Sequence, residues 1–149
     1  MATSSLIQFL SAGEAGDTSN RRQIETFFAN GAIAAGDWVQ LDTTKTGADR
    51  VLYVVEALAG TATGNPLVVG VATEAAAAGD QVRVVVAGYA ENASVANAVG
   101  SAGIALVVDN TQAGQAVAIA AADTAPACGV SLEAASVGNT CDVWVFKQF

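Results

Sequence analysis

Two stretches of this chain say nearly the same thing. GVATEAAAAGDQVRVVV, residues 70–86, returns without a gap as GVSLEAASVGNTCDVWV, residues 129–145. A shift of 59 places Gly70 on Gly129, Glu74 on Glu133, Gly79 on Gly138 and Val84 on Val143. The echo extends upstream at a shift of 67. There GDWVQLDTTKTG, from Gly36, faces GIALVVDNTQAG, from Gly103. Gly36, Asp42, Thr44 and Gly47 fall on Gly103, Asp109, Thr111 and Gly114. The difference between the shifts lies in ALAGTATGNP of the first unit, which has a shorter counterpart in the second. Length change in a loop with the framework kept is the pattern of a duplicated fold. The chain therefore reads as an internal repeat, approximately residues 31–89 and 98–149, and whatever the first unit forms the second must form too.

Each unit reads as four short strands. They fall near residues 38–41, 51–55, 67–72 and 82–87, and again near 105–108, 116–121, 128–132 and 141–146. These runs are Val-rich and bounded by Gly, Asp, Asn and Thr, as strands are. Asp42 and Asp109 open turns, because a short carboxylate can accept from the backbone just ahead of it. Gly47 and Gly114 can close those turns at positive φ. A ninth strand falls at residues 24–29, ahead of the first unit. No stretch carries the 3.6-residue period of a long helix, and only residues 90–99 read as a short helical turn. The expected fold is all-β: a sandwich or barrel of about nine short strands built from two related four-strand units. An extended N-terminal arm over residues 1–23 precedes a single β domain over residues 24–149.

The surface of such a domain is constrained by charge. Charged residues make up 13% of the 149, against roughly 25% in a typical domain. A surface this poor in charge is one that partners cover. The net charge is −8, so the chain is not built to neutralise phosphates and direct nucleic-acid binding is not expected. Arg21-Arg22 is too small to be a basic patch. The opening MATSSLIQFLSAGE lacks the basic start and apolar middle of a secretory signal, and no apolar run approaches the ~20 residues of a membrane span. The expectation is a soluble product of the cytoplasm with no membrane contact.

Active chemistry is scarce. There is no His, which removes the commonest general base and metal ligand. No nucleophile elbow, phosphate loop, CxxC pair or EF-hand spacing occurs. The carboxylates are scattered singly, although acids on opposite strands can meet in space as in glycosidases. Asp37 and Asp80 follow glycines and read as turn residues. Glu74 and Glu133 sit alike in both units, to cap a turn or to hold a cation. Asn92-Ala-Ser matches a glycosylation sequon without meaning for a cytoplasmic product. The expectation is a protein that is not an enzyme and needs no cofactor or metal. Cys128 and Cys141 replace Val69 and Val82 of the first unit, which suggests neighbours across adjacent strands. They read either as buried small hydrophobes or as a cross-strand disulfide, the reducing cytoplasm favouring the former.

Trp144 and Phe146 alternate with Val143 and Val145, so the last strand is apolar on both faces. Such a strand is either central in the core or covered by another subunit. A sugar platform using Trp144, Trp38 and Tyr89 is a third reading. In the arm, Leu6, Ile7 and Phe9 form one apolar cluster within polar and Gly-rich sequence, and Arg21 and Arg22 end its polar neck. A cluster this small cannot make its own core.

GVATEAAAAGDQVRVVVAG and GVSLEAASVGNTCDVWVF resemble the closing motif of small tailed-bacteriophage capsid decoration, or cement, proteins. There a Gly-Val-Ala-x-Glu-Ala-Ala-x-x-Gly stretch leads into a Val-rich strand. GAIAAGDWVQLD, from Gly31, resembles the upstream turn of that family. The resemblance covers most of the chain after Gly31. It implies a β-rich domain bound in many copies to the outside of the assembled head, stabilising contacts between major capsid protein subunits. It implies a homo-oligomer, often a trimer, with an N-terminal arm that reaches the shell, and it carries over no catalytic residue. The interface candidates are then Leu6, Ile7, Phe9, Arg21, Arg22, Trp144 and Phe146, and the expected location is the outer surface of the virion capsid. The reading from a different class is a head-borne adhesin or carbohydrate-binding module.

Overall fold

The computed structural model of the chain describes residues 21–60, 65–121 and 126–148. Nine strands run in chain order: β1 Arg22–Ala29, β2 Trp38–Leu41, β3 Tyr53–Glu56, β4 Val68–Ala72, β5 Gln81–Ser94, β6 Ala105–Val108, β7 Ala116–Ala118, β8 Gly129–Ser131 and β9 Thr140–Val145. One 3-10 turn, Gly47–Val51, precedes β3. The strands are ordered β1-β3-β2-β4-β5-β9-β8-β6-β7, and β1 also pairs with β5. The first five strands thus close on themselves. The remaining four return to the end of β5 through a parallel bridge between Val95 and Ala116. The architecture is two small barrels that share one long strand.

The sequence repeat is a repeat of register. Val71 pairs with Val85 and Ala72 with Val84. Exactly 59 residues on would be a coincidence for any other arrangement, yet Val130 pairs with Trp144 and Ser131 with Val143. The bridge Ile33–Ala76 has its counterpart in Val99–Ala135. Gly36 N donates to Ala72 O at 2.9 Å, and Gly103 N to Ser131 O at 2.7 Å. The turns follow the same rule. Asp42 Oδ1 accepts from Thr44 N at 2.9 Å and Asp109 Oδ2 from Gln112 N at 3.0 Å. Gly47 and Gly114 close them at φ 59° and 74°, a region that only glycine enters at no steric cost.

Each barrel buries its own core. Phe27, Ala29, Val39, Val54, Val69 and Val82 belong to the first. Their counterparts Ala93, Val95, Leu106, Ala116, Cys128 and Cys141 belong to the second. The second cluster also takes in Trp38, Val71 and Val85 from the first unit, so the outer face of one barrel supplies part of the seam between the two.

Three expectations need correction. Residues 90–99 do not turn helically: β5 continues to Ser94 and Val95 bridges onward. Ala90 and Ala93 sit in a strand held by pairing to β9, with an irregularity between them where Asn92 adopts φ 53°. Residue 51 ends the 3-10 turn, so the second strand starts at Tyr53. The cysteines are both buried and free, but they are not cross-strand neighbours. Cys128 O accepts from Phe146 N, whereas Cys141 pairs with Ala93 on β5. Phe146 is five residue steps along the chain from Cys141, roughly 17 Å at the usual rise, which is beyond the reach of a disulfide.

Candidate interaction face

Strand β9 alternates cleanly. Val143 and Val145 point into the core at 0% and 1% exposure, while Trp144 and Phe146 are each 39% exposed. The two aromatics therefore lie on an outer face, not in the core. Trp144 stands between Val130 of β8 and Tyr89 of β5. The start of β1 crosses close by, because Arg22 pairs with Gly88. Gly88 holds φ 91°, and a Cβ there would overlap the Arg21 carbonyl. The glycine lets the backbone of β1 lie down beside Trp144. Arg21, Arg22, Gln23, Ala87, Gly88 and Trp144 then line a shallow cleft of about 250 Å3.

Charge divides around the indole. Of the chain's six cations, three are engaged elsewhere. Arg83 pairs with Glu74 at 2.9 Å, Lys45 sits 4.4 Å over the Tyr53 ring, and Arg50 Nε donates to Lys45 O. Two gather here, Arg21 and Arg22 in the cleft, and Lys147, which lines the separate cavity of the first barrel, donates from Nζ to Gln23 Oε1 at 3.2 Å. On the opposite side, Tyr89 Oη donates to Asp142 Oδ2 at 2.6 Å. That hydrogen bond, burial, and the charges of Asp142, Glu91 and Glu133 push the phenol up to about 12. Trp144 thus stands between a basic rim and an acidic one on a chain of net charge −8.

The structure brings Arg21, Arg22 and Trp144 together and places Phe146 two residues farther along the same outer face. Leu6, Ile7 and Phe9 lie outside the described residues. The sugar-platform reading loses Trp38, which is fully buried against Gly129. Glu74 and Glu133 both reach across to the neighbouring strand. Glu74 grips Arg83, and Glu133 Oε1 accepts from Asp142 N at 3.1 Å, at the position equivalent to Arg83. Among the described residues no three His, Cys, Asp or Glu side chains group as a metal site.

One juxtaposition was not legible in the sequence. The Glu56 carboxyl meets Asp37, and burial together with that neighbour raises its pKa. Asp37 is itself buried. Its Oδ2 accepts from Ala34 N at 2.7 Å, as its turn role requires, and its carboxylate packs on Gly114 of the second unit. The β2–β3 pairing, with Val39 opposite Glu56, is what brings the two acids to one end of the first barrel.

No family model and no curated protein matches this chain. Among solved structures, the chain is similar to the N base of head fiber gp8.5 of bacteriophage phi29, at 17% identity and a TM-score of 0.55. The likeness covers 85% of this chain and 95% of that one. It extends across both barrels and is a likeness of fold.

Proposed function

We propose that this protein is a non-catalytic structural component of a tailed-phage head: a decoration, or cement, subunit on the outside of the assembled shell. In this reading it bridges major capsid protein subunits, as a homo-oligomer and most simply as a trimer. The observation that carries the reading is the Trp144 face. A partly exposed Trp and Phe lie on an outer face beside Arg21 and Arg22. Central aromatic anchors flanked by Arg are the usual energetic centre of an interface. Two supports come from outside the face: the closing-motif resemblance of both repeats, and a fold shared with a protein from a phage head.

The test is co-sedimentation with assembled coat shells and, separately, with free coat subunits. The protein should pellet with shells only, and Trp144→Ala should weaken that binding at least tenfold, the size expected for a central anchor. Binding that is equal for the variant, or that is directed to glycans instead of shells, would overturn this reading in favour of an adhesin.

A further inference from the structure

The two rims of the Trp144 face differ in what they still lack. On the acidic side the carboxylates are already held within the chain. Asp142 Oδ2 accepts from Tyr89 Oη at 2.6 Å, and its Oδ1 from the Asn92 amide at 3.2 Å. Glu133 Oε1 accepts from Asp142 N at 3.1 Å. The basic side has no such closure. The chain has 14 acidic residues for 6 basic ones, yet among the described residues the one ion pair is Arg83 with Glu74. Arg22 lines a neighbouring pocket together with Glu91 and still forms no ion pair with it. Two adjacent guanidiniums are thus left open beside a partly exposed indole. Their backbone is fixed by the fold: Arg22 pairs with Gly88 in the β1–β5 ladder, and the Arg21 carbonyl lies where only a glycine leaves room. A backbone ordered in advance loses less freedom on binding.

We propose that this face takes an acidic segment of the coat protein, with a carboxylate on Arg21 and Arg22 and a neighbouring apolar side chain on Trp144. This partner chemistry rests on the head role proposed above. Three observations select it. The first is the group itself: the planar fork of a guanidinium matches the two oxygens of a carboxylate. The second is the acidic rim, which sets a direction. Like charges brought together at an interface are costly, so the segment carries its acid toward the start of β1 and not toward Asp142 and Glu133. The third is the net charge of −8. A continuous polyanion such as a DNA duplex would meet repulsion along its length, whereas one acidic cluster in a protein segment is met by the two arginines alone. A second copy of this chain fits less well, because Asp142 and Glu133 already have their partners.

The experiment is co-sedimentation of the full chain with assembled coat shells across a salt series. Binding by the parent protein should weaken at least tenfold between about 50 and about 500 mM salt, as charge-paired contacts do. Arg21→Glu combined with Arg22→Glu should bind at least tenfold more weakly at the low end and lose most of that salt dependence. Arg21→Lys combined with Arg22→Lys should keep the salt dependence. Trp144→Ala should weaken binding at every salt and leave the dependence on salt as it is. Shell binding by the parent that is indifferent to salt, or equal in the double Glu variant, would overturn the acidic partner. The head role would still stand in that case, provided Trp144→Ala weakened pelleting, whereas parent protein that fails to pellet with shells would remove the head role itself. Two further results would overturn the acidic coat segment: self-association that the double Glu variant abolishes, which assigns the arginines to a second copy, and binding to naked duplex DNA that it abolishes, which assigns them to phosphate.

Discussion

The Cη2 edge of the Trp38 indole packs against Gly129, and this pair joins the two barrels. A Cβ on Gly129 would sit 2.9 Å from Trp38 Cη2 and 2.8 Å from the Trp144 carbonyl oxygen. Trp38 is fully buried in the cluster of the second unit, although it belongs to β2 of the first. Neither neighbour of that extra carbon can retreat: one is a packed ring, the other a ladder carbonyl. Gly129→Ala should therefore destabilise by about 1–3 kcal/mol, as overpacked cores do. Trp38→Ala should cost about 3–5 kcal/mol through the cavity it leaves. Chemical denaturation of the two variants checks both, and an unchanged midpoint for Gly129→Ala would show that the seam is loosely packed.

The cysteines should behave as valines. Cys128 and Cys141 occupy core positions of the second barrel that Val69 and Val82 hold in the first. Burial pushes the Cys128 thiol up to about 12 and the Cys141 thiol up to about 11, the latter helped by Glu133 and Asp142. Both thiols should stay unmodified by a thiol reagent at neutral pH until the protein is unfolded. Replacing both by Val should cost less than about 1.5 kcal/mol, since the swap nearly conserves volume. Two free thiols released only by denaturant is the expected titration.

Stability should fall as Glu56 ionises. Burial, and then the carboxylate of Asp37, raise the Glu56 pKa above its ordinary 4.5. The folded state then holds a proton that the unfolded chain gives up sooner as pH rises. This group's contribution is complete below pH 4.5 and is lost as pH climbs through the raised folded value. Glu56→Gln keeps the shape and removes the ionisation. It should raise Tm at pH 7 by a few degrees at most, about 1 kcal/mol for a partly exposed acid, and confer no gain at pH 4. Thermal melts of the two proteins across that range measure the difference directly.

The elements that sequence made legible are those fixed by local chemistry. Asp42 and Asp109 cap their turns because a carboxylate two or three residues before an amide can always reach it. The Val alternation around Trp144 placed β9 and its two faces, though not which face met water. Contacts between distant strands were out of reach. Residues 90–99 look helical because alanine favours helix, and only pairing with β9 overrides that. Val69 and Val82 appeared adjacent because they changed together, when what they share is a core, not a register. Trp38 offered a usable signal: its counterpart is Ala105, so its bulk belongs to something the repeat does not duplicate, which is the seam between barrels. The Asp37–Glu56 contact needed the β2–β3 register, which no local rule supplies.

Gly88 decides whether the cleft beside Trp144 forms. Gly88 lies in β5 at φ 91°, where an L side chain is strained by roughly 1–2 kcal/mol. A methyl there would also overlap the Arg21 carbonyl. β1 is long, pairing with β5 from Arg22 to Phe28, so a local repulsion at its start should lift Arg21 and Arg22 and leave the rest of the strand in place. Gly88→Ala should therefore fold, with Tm lowered by several degrees, and should uncover the indole of Trp144. The chain has two tryptophans, and Trp38 is fully buried, so a quencher of fluorescence reports on Trp144 almost alone. Acrylamide should quench Gly88→Ala more strongly than the parent protein. That difference should disappear in a Trp144→Phe background, where only Trp38 emits. Unchanged quenching together with unchanged Tm would mean that the start of β1 does not rest on Gly88, and the cleft between Arg21, Arg22 and Trp144 would have to be abandoned as a built surface.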